Sequence, residues 1–407
     1  MQLEKSTLKP NVTLQINGSK SISNRLLILD HLFGNLLIEN LSDSQDTQIL
    51  KSALNTDSTV IDIHHAGTAM RFLTAYFAIQ DGRTVLLTGS DRMKQRPIKF
   101  LVDALRELGA DISYTETEGF PPLKITGKKL QKNSVRVAAN ISSQFISALM
   151  LIGGSLENGL EINLKGEITS RPYLEMTLKI LKNTGICSRW RGNRIQIFSD
   201  LPQNKNSLLQ KFVVESDWSS ASYFYSLAAI GKQSINLQSF RPHSLQGDSV
   251  LKEIYWENFG VNTISEDAES RISLLPDHHF TYPEKIILEM NDCPDIAQTV
   301  CVTATALKIP FELRGLHTLK IKETDRLQAL KDELFKIGCI AEITEDSITS
   351  QKFFEPNEHI AIATYNDHRM AMSFAPYCLL KPLIIENEEV VEKSYPRFWE
   401  DLKSILQ

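Results

Sequence analysis

Cysteine is scarce in this chain: five in 407 residues, an odd number. Cys187, Cys293, Cys301, Cys339 and Cys378 show none of the short spacings that hold zinc or iron–sulfur clusters. A disulfide framework and a cysteine-bound metal are thereby excluded, and reduced packing thiols in a cytoplasmic protein are expected. Long apolar runs are missing too. A membrane helix needs about 20 such residues, and stretches such as 145–153 fall well short. MQLEKSTLKPNVTLQINGSKS, at the start, has no apolar segment of the kind a secretory signal requires, so none is expected. Neither sign of charge dominates: 44 Lys and Arg stand against 49 Asp and Glu. With no basic excess to hold a polyanion, nucleic acid is not expected as a partner. No G-x-G-x-x-G follows a strand, and Asn17-Gly18-Ser19-Lys20-Ser21 lacks the glycines of a P-loop. The pairs His64-His65 and His278-His279 are sequence neighbours without companion ligands. No cofactor and no metal is expected.

What the chain does have is a repeat. Helical patterns end at Gly109, Gly185, Gly260 and Gly338, spaced by roughly 75 residues, each followed by a strand-like run. Gly best tolerates the left-handed conformation that closes a helix. Arg96-Pro97, Arg171-Pro172 and Arg241-Pro242 run in step, each ahead of an amphipathic helical pattern, with Pro suited to a first turn. A third series opens with small polar residues and continues with Ala, Met, Leu and Phe: SKSISNRLLIL, AGTAMRFLTAYFA, SSQFISALMLI, SSASYFYSLAAI, PDIAQTVCVTATAL and DHRMAMSFAPYCLL. These six patterns are apolar on most sides, which predicts buried helices. Between them TVLLTG, LEINLKG, SINLQS and IPFELRG read as strands. The unit is helix–strand–helix–strands, about six times, in an α/β protein.

Buried helices with polar starts expose free N–H groups and the positive ends of their dipoles, which favours small anions. Lys20, Arg25, Arg71, Arg96, Lys322, Arg326, Arg369 and Lys393 fall at or near such starts. Any one of them reads as a solvated surface charge; eight at equivalent places in a repeat do not. Two acids lie beside them. Asp295, after Pro294, reads alone as a helix cap, and Glu323 in Lys322-Glu323-Thr324-Asp325-Arg326 as a first-turn acid. Facing bound anions, the same pair become candidate general base and general acid. His368, beside Asp367 and Arg369, is either a site residue or a helix-start packing residue.

Taken in order, GSKSISNR (18–25), AGTAMR, RMKQRP, SSQF, SRPY, KETDR, YNDHRMAM and Lys393-Ser394-Tyr395-Pro396 span nearly the whole chain. This ordered set resembles the 5-enolpyruvylshikimate-3-phosphate synthases of the enolpyruvyl transferase family. The resemblance implies a two-domain inside-out α/β barrel, each domain built of three repeats with buried parallel helices. Domain I would comprise 1–16 plus 216–407 and domain II 17–215, with the active site in the cleft between them. It implies transfer of enolpyruvyl from phosphoenolpyruvate to the 5-hydroxyl of shikimate 3-phosphate, in a monomer that needs no cofactor. By the same resemblance Asp295 takes the hydroxyl proton, and Glu323, with Lys20, handles the proton at C3. Lys20, Gly67, Arg96, Gln144, Arg326, Arg369 and Lys393 would surround phosphoenolpyruvate. Lys20, Ser21, Arg25, Ser142, Ser143, Gln144, Ser170, Tyr173, Asp295 and Lys322 would hold shikimate 3-phosphate.

Three positions depart from the family pattern: His65 for the usual Asn before Ala-Gly-Thr, Phe72 for Pro after Met-Arg, and Thr318 for Asn before Lys-Glu-Thr-Asp-Arg. Gly67 is kept, which implies that glyphosate competes with phosphoenolpyruvate. The sister enzyme acting on UDP-N-acetylglucosamine would commonly place a Cys near Arg96; 91–95 reads Asp-Arg-Met-Lys-Gln. A catalytically silent binder of phosphorylated metabolites would need neither Asp295 nor Glu323.

Overall fold

The four recurring glycines do close helices. Gly109, Gly185, Gly260 and Gly338 have φ values of 107°, 87°, 68° and 94°, a region that costs other L-residues steric strain. Residues 1–34, 36–200, 209–266 and 269–407 are described by the structure, a computed structural model. The chain forms two units, Met1–Gly18 with Glu215–Gln407, and Ser19–Val214.

Within Ser19–Val214, one pattern recurs. Strand Val60–Asp62 leads into the helix Gly67–Ala78, which returns to the parallel strand Thr84–Thr88. The amphipathic helix Lys99–Leu108 and the antiparallel strands Asp111–Tyr114 and Leu123–Thr126 complete a four-stranded sheet. Strand Ser134–Ala138, helix Ser143–Gly153, strand Leu160–Lys165, helix Arg171–Asn183 and the hairpin Ser188–Arg191/Arg194–Ile197 repeat it with the same strand order. The third copy is cut by the chain's path: helix Lys20–Phe33 lies between Gln210–Val213 and Leu36–Glu39, which pair in parallel. Sheets carry alternating strands, as Leu160–Lys165 shows with every second residue buried. The inner helices show no such alternation, because they are surrounded by protein. In Gly67–Ala78 every residue except Thr68 is buried.

The other unit repeats the pattern around Trp218–Gly231, Ala297–Ala306 and His368–Phe374. Small polar residues on these helices join them at the centre: Ser222 Oγ lies 3.0 Å from Thr299 Oγ1, which lies 3.1 Å from Ser373 Oγ. One turn on, Thr303 donates to Ser226 Oγ at 2.8 Å. These buried hydroxyls thus partner one another, which lets the three helices pack closely at this layer.

The Arg-Pro series fits less well than expected. Pro172 does occupy the first turn of Arg171–Asn183, but Pro97 stands ahead of Lys99–Leu108, and a 3-10 turn at Gly247–Val250 separates Pro242 from Leu251–Phe259. Three residues that share a spacing therefore share a place in the repeat, not a place in the helix.

Candidate active site

Cations gather at the starts of two inner helices of Ser19–Val214, Lys20–Phe33 and Gly67–Ala78. Lys20 is the first residue of its helix, and its Nζ lies 3.3 Å from Asp46 Oδ2, in the first turn of Gln45–Leu54. One turn further, Arg25 is 2% exposed. Its Nε donates to Thr177 Oγ1 at 2.7 Å, Nη1 to the Ser21 carbonyl at 2.8 Å, and Nη2 to Ser147 Oγ at 3.1 Å and to the Tyr173 carbonyl at 3.5 Å. Those partners are all neutral oxygens. Burial accordingly pushes the Arg25 guanidinium down to about 10, the phenol of Tyr173 opposing it only in part. The departure at Phe72 has a use here: its buried ring lies 5.4 Å beneath the Arg25 guanidinium.

Gly67 opens its helix against Arg96. A Cβ there would fall 2.6 Å from Arg96 Nη1, so only a residue without one lets that guanidinium lie across the helix start. Arg71 braces the same corner, donating to the Gly67 carbonyl at 3.1 Å and to the Pro97 carbonyl at 3.2 Å. The other departure, His65, joins the turn carrying Arg96: its Nδ1 is 2.8 Å from Ser90 Oγ, which caps Asp91–Lys94. Gln144 Nε2 reaches Thr68 Oγ1 at 3.4 Å, tying the start of Ser143–Gly153 to that of Gly67–Ala78. Ser142 Oγ accepts the Gln144 N–H and caps that helix, while Ser143 beside it is buried. Ser170 sits before Arg171–Asn183 at φ 54°, ψ 44° with no side-chain cap. A left-handed serine costs about 1 kcal/mol or more and is often kept where a site demands it. Tyr173 donates its backbone N–H to the Ser170 carbonyl at 3.1 Å.

In the other unit the charges are interlocked. Arg326, 2% exposed, meets three carboxylates: Asp367 through Nε at 2.6 Å and Nη2 at 3.3 Å, Asp295 through Nη1 at 3.1 Å, and Glu323 through Nη2 at 2.9 Å. A planar fork with fixed donors suits this triple contact as an ammonium would not. Burial works against its charge, yet Asp367, Glu323 and Asp295 together raise it above the ordinary arginine value. Lys393, buried at the end of a 3-10 turn, lies 2.6 Å from Glu323 Oε1. Arg369 places Nη2 3.1 Å from Asp295 Oδ2 and donates through Nη1 to the Asp295 carbonyl at 2.8 Å. Lys322 Nζ is 3.6 Å from Asp295 Oδ1, and burial lowers Lys322 from its usual range despite the aspartate. Burial disfavours the charge of Asp295, but Arg369, Lys322 and Arg326 outweigh it and hold the carboxyl well below the usual range.

Asp295, Lys322, Glu323, Arg326, Arg369 and Lys393 are thus one cluster within their unit. Sequence reasoning missed two acids, one in each unit, Asp367 and Asp46. Asp367 caps His368–Phe374 and carries the bidentate contact to Arg326. Asp46 neutralises Lys20. His368 is a buried first residue of its helix. Thr318 Oγ1 is buried without a hydrogen-bond partner among the described residues. Nowhere among those residues do three or more His, Cys, Asp or Glu side chains gather so as to hold a metal ion.

The sequence profile described as EPSP synthase (3-phosphoshikimate 1-carboxyvinyltransferase) matches residues 49–402. A Bacteroides fragilis protein named 3-phosphoshikimate 1-carboxyvinyltransferase is 47% identical over 396 residues, covering 96% of this chain and 94% of its own length. One of the same name from Haemophilus influenzae is 35% identical over 439 residues, covering 99% of each. Among solved structures, an EPSP synthase from Acinetobacter baumannii superposes with a TM-score of 0.74 at 22% identity, covering 100% of this chain and 98% of that one. The enolpyruvyl transferase NikO from Streptomyces tendae gives 0.72 at 13% identity, covering 100% and 97%.

Proposed function

The chain belongs to the EPSP synthase family, and from that premise we propose that it transfers the enolpyruvyl group of phosphoenolpyruvate to the 5-hydroxyl of shikimate 3-phosphate. Inorganic phosphate leaves, and the enzyme serves the shikimate pathway to aromatic amino acids. One observation supports this reading beyond the family: cations are collected at inner helix starts in both units, and in one of them they enclose Asp295 and Glu323. A binder of anions has no need of that pair. A soluble, cytoplasmic monomer is part of the same proposal; no helix among the described residues is long and apolar enough to cross a membrane.

The reaction asks for a base at the 5-hydroxyl as its oxygen attacks C2, and for a proton at C3. Loss of phosphate and of a C3 proton then leaves the vinyl ether. Asp295 is the base, and Glu323, replenished by Lys393 and aided by Lys20, handles the C3 proton. Arg326 and Arg369 take the phosphoenolpyruvate carboxylate with their forks, and Lys20, Arg96 and Lys393 attend to the rest of that substrate beside Gly67 and Gln144. Arg25, buried among neutral oxygens, receives the shikimate carboxylate with Ser21. Ser142, Ser143, Ser170 and Lys322 surround the 3-phosphate, and Tyr173 and Thr318 attend to the ring. A substrate carboxylate on Arg326 and Arg369 competes with Asp295 for those cations. The occupied site therefore leaves Asp295 a stronger base than the empty one.

Phosphate release tests the reading. Purified protein given phosphoenolpyruvate with shikimate 3-phosphate is expected to release phosphate, and with UDP-N-acetylglucosamine to release none. The reverse pattern would overturn the acceptor, and silence with both would overturn the reaction. Glyphosate is expected to inhibit competitively with phosphoenolpyruvate; full activity at millimolar glyphosate would contradict the assignment of Gly67.

Two substitutions probe the cation geometry. Gly67→Ala pushes a methyl into Arg96 Nη1. Because the guanidinium can swing aside, the expected result is a rise of about tenfold in KM for phosphoenolpyruvate, the scale of one weakened charged hydrogen bond. Phe72→Leu removes the ring beneath Arg25, worth up to about 2 kcal/mol when desolvated. KM for shikimate 3-phosphate should rise several-fold while that for phosphoenolpyruvate stays put. Equal changes in both constants would show that Phe72 only packs.

A further inference from the structure

Behind Arg369 lies a buried carboxylate that the reaction as described does not use. Asp248 belongs to the 3-10 turn Gly247–Val250 and is 3% exposed. Ser219, in the first turn of Trp218–Gly231, donates its hydroxyl to Asp248 Oδ2. The same Ser219 Oγ accepts Arg369 Nη2 at 3.4 Å, and that nitrogen also lies 3.1 Å from Asp295 Oδ2. The order is therefore Asp248, Ser219, Arg369, Asp295: Ser219 donates to Asp248, Arg369 donates to Ser219, and the same Arg369 nitrogen pairs with Asp295.

We propose that Asp248 is a positioning residue for the reaction: by fixing the direction of the Ser219 hydroxyl, it keeps a lone pair turned towards Arg369 and sets the fork that grips the phosphoenolpyruvate carboxylate. This rests on the functional reading above. A serine hydroxyl has one proton. While Asp248 is ionised, that proton must point at the carboxylate, and Ser219 can only accept from Arg369. Once Asp248 is protonated it can donate to one of the two Ser219 lone pairs instead, which frees the hydroxyl to turn and loosens its hold on Arg369. The groups around Asp248 come from several elements: Asp217 and Ser219 on one side, Cys293 and Asp295 on another, and Arg369 beyond them. Burial and the neighbouring Asp295 push Asp248 up to about 6, with Arg369 and Ser219 opposing. The turn of the hydroxyl thus falls near pH 6.

The experiment compares wild type, Asp248→Asn and Ser219→Ala in phosphate release between pH 5 and 8.5, with thermal denaturation at pH 7.5. Wild-type turnover tests the reading of the reaction separately; without it, the reading itself fails. Given turnover, wild-type KM for phosphoenolpyruvate should rise as pH falls through about 6. Both variants should raise that KM about three- to tenfold at pH 7.5, the scale of one hydrogen bond, lose the inflection, and leave KM for shikimate 3-phosphate unchanged. Stability gives the contrasting readout. A carboxyl whose folded value lies above its unfolded one binds more protons when folded, so it weakens the fold as pH rises through that window. Asp248→Asn removes this burden and should melt above wild type at pH 7.5 while binding phosphoenolpyruvate less well. A purely structural aspartate would lower both. Wild-type KM values and pH profile in both variants, or a lowered melting temperature in Asp248→Asn, would overturn the proposal.

Discussion

Glu323→Gln is expected to lower kcat by about 10²–10⁴-fold, the usual worth of a positioned general acid or base. The amide keeps the size of the side chain and one acceptor oxygen, so either the Lys393 or the Arg326 contact survives. What it cannot do is exchange a proton with C3. Because Glu323 is 13% exposed and sits among cations, losing its charge leaves Arg326 still held by Asp295 and Asp367, and the fold should stand. Binding of shikimate 3-phosphate, followed by calorimetry, should change little. A variant that turns over within tenfold of wild type would remove Glu323 from the proton path. One that fails to bind shikimate 3-phosphate would mean the side chain builds the site instead.

The repeat was legible because it rests on local chemistry. Gly at 109, 185, 260 and 338 answers a backbone demand at each helix end, and a run such as Ser-Gln-Phe-Ile-Ser-Ala-Leu-Met-Leu-Ile can be buried all round wherever it falls. The cations at the helix starts were legible for the same reason, one repeat position recurring. Pairings are a different matter. Arg326 and Asp367 are 41 residues apart, Lys393 and Glu323 are 70 apart, and nothing in either local sequence names the other. Asp46, a first-turn acid of its helix, carries no local mark of its partner Lys20, 26 residues before it. Phe72 read as a departure that weakened the fit; under Arg25 it supplies a face that a proline lacks. Asp248 showed no signal at all, since its connection to Arg369 passes through a serine.

Arg326→Gln should have the largest effect on stability. Removing one partner from a buried charge network costs about 3–5 kcal/mol, and here one side chain serves three carboxylates. Asp367 suffers most, being wholly buried with two of its contacts made by Arg326. The loss should depend on pH in a definite direction. Asp295 is depressed in the folded protein, so its contribution is complete above the unfolded carboxylate value of about 3.9 and disappears as pH falls through the lower folded one. Without Arg326 that depression shrinks. The gap in urea unfolding between wild type and variant should therefore be wide at pH 7.5 and narrow only below about pH 3.9, as the depressed Asp295 of the wild type takes up its proton. Arg326→Lys is the informative companion. It restores the charge but not the fork, so it should recover part of the stability and little of the affinity for phosphoenolpyruvate. If lysine restored both, charge alone would suffice at this position, and the three-way geometry of the guanidinium would be incidental to the site.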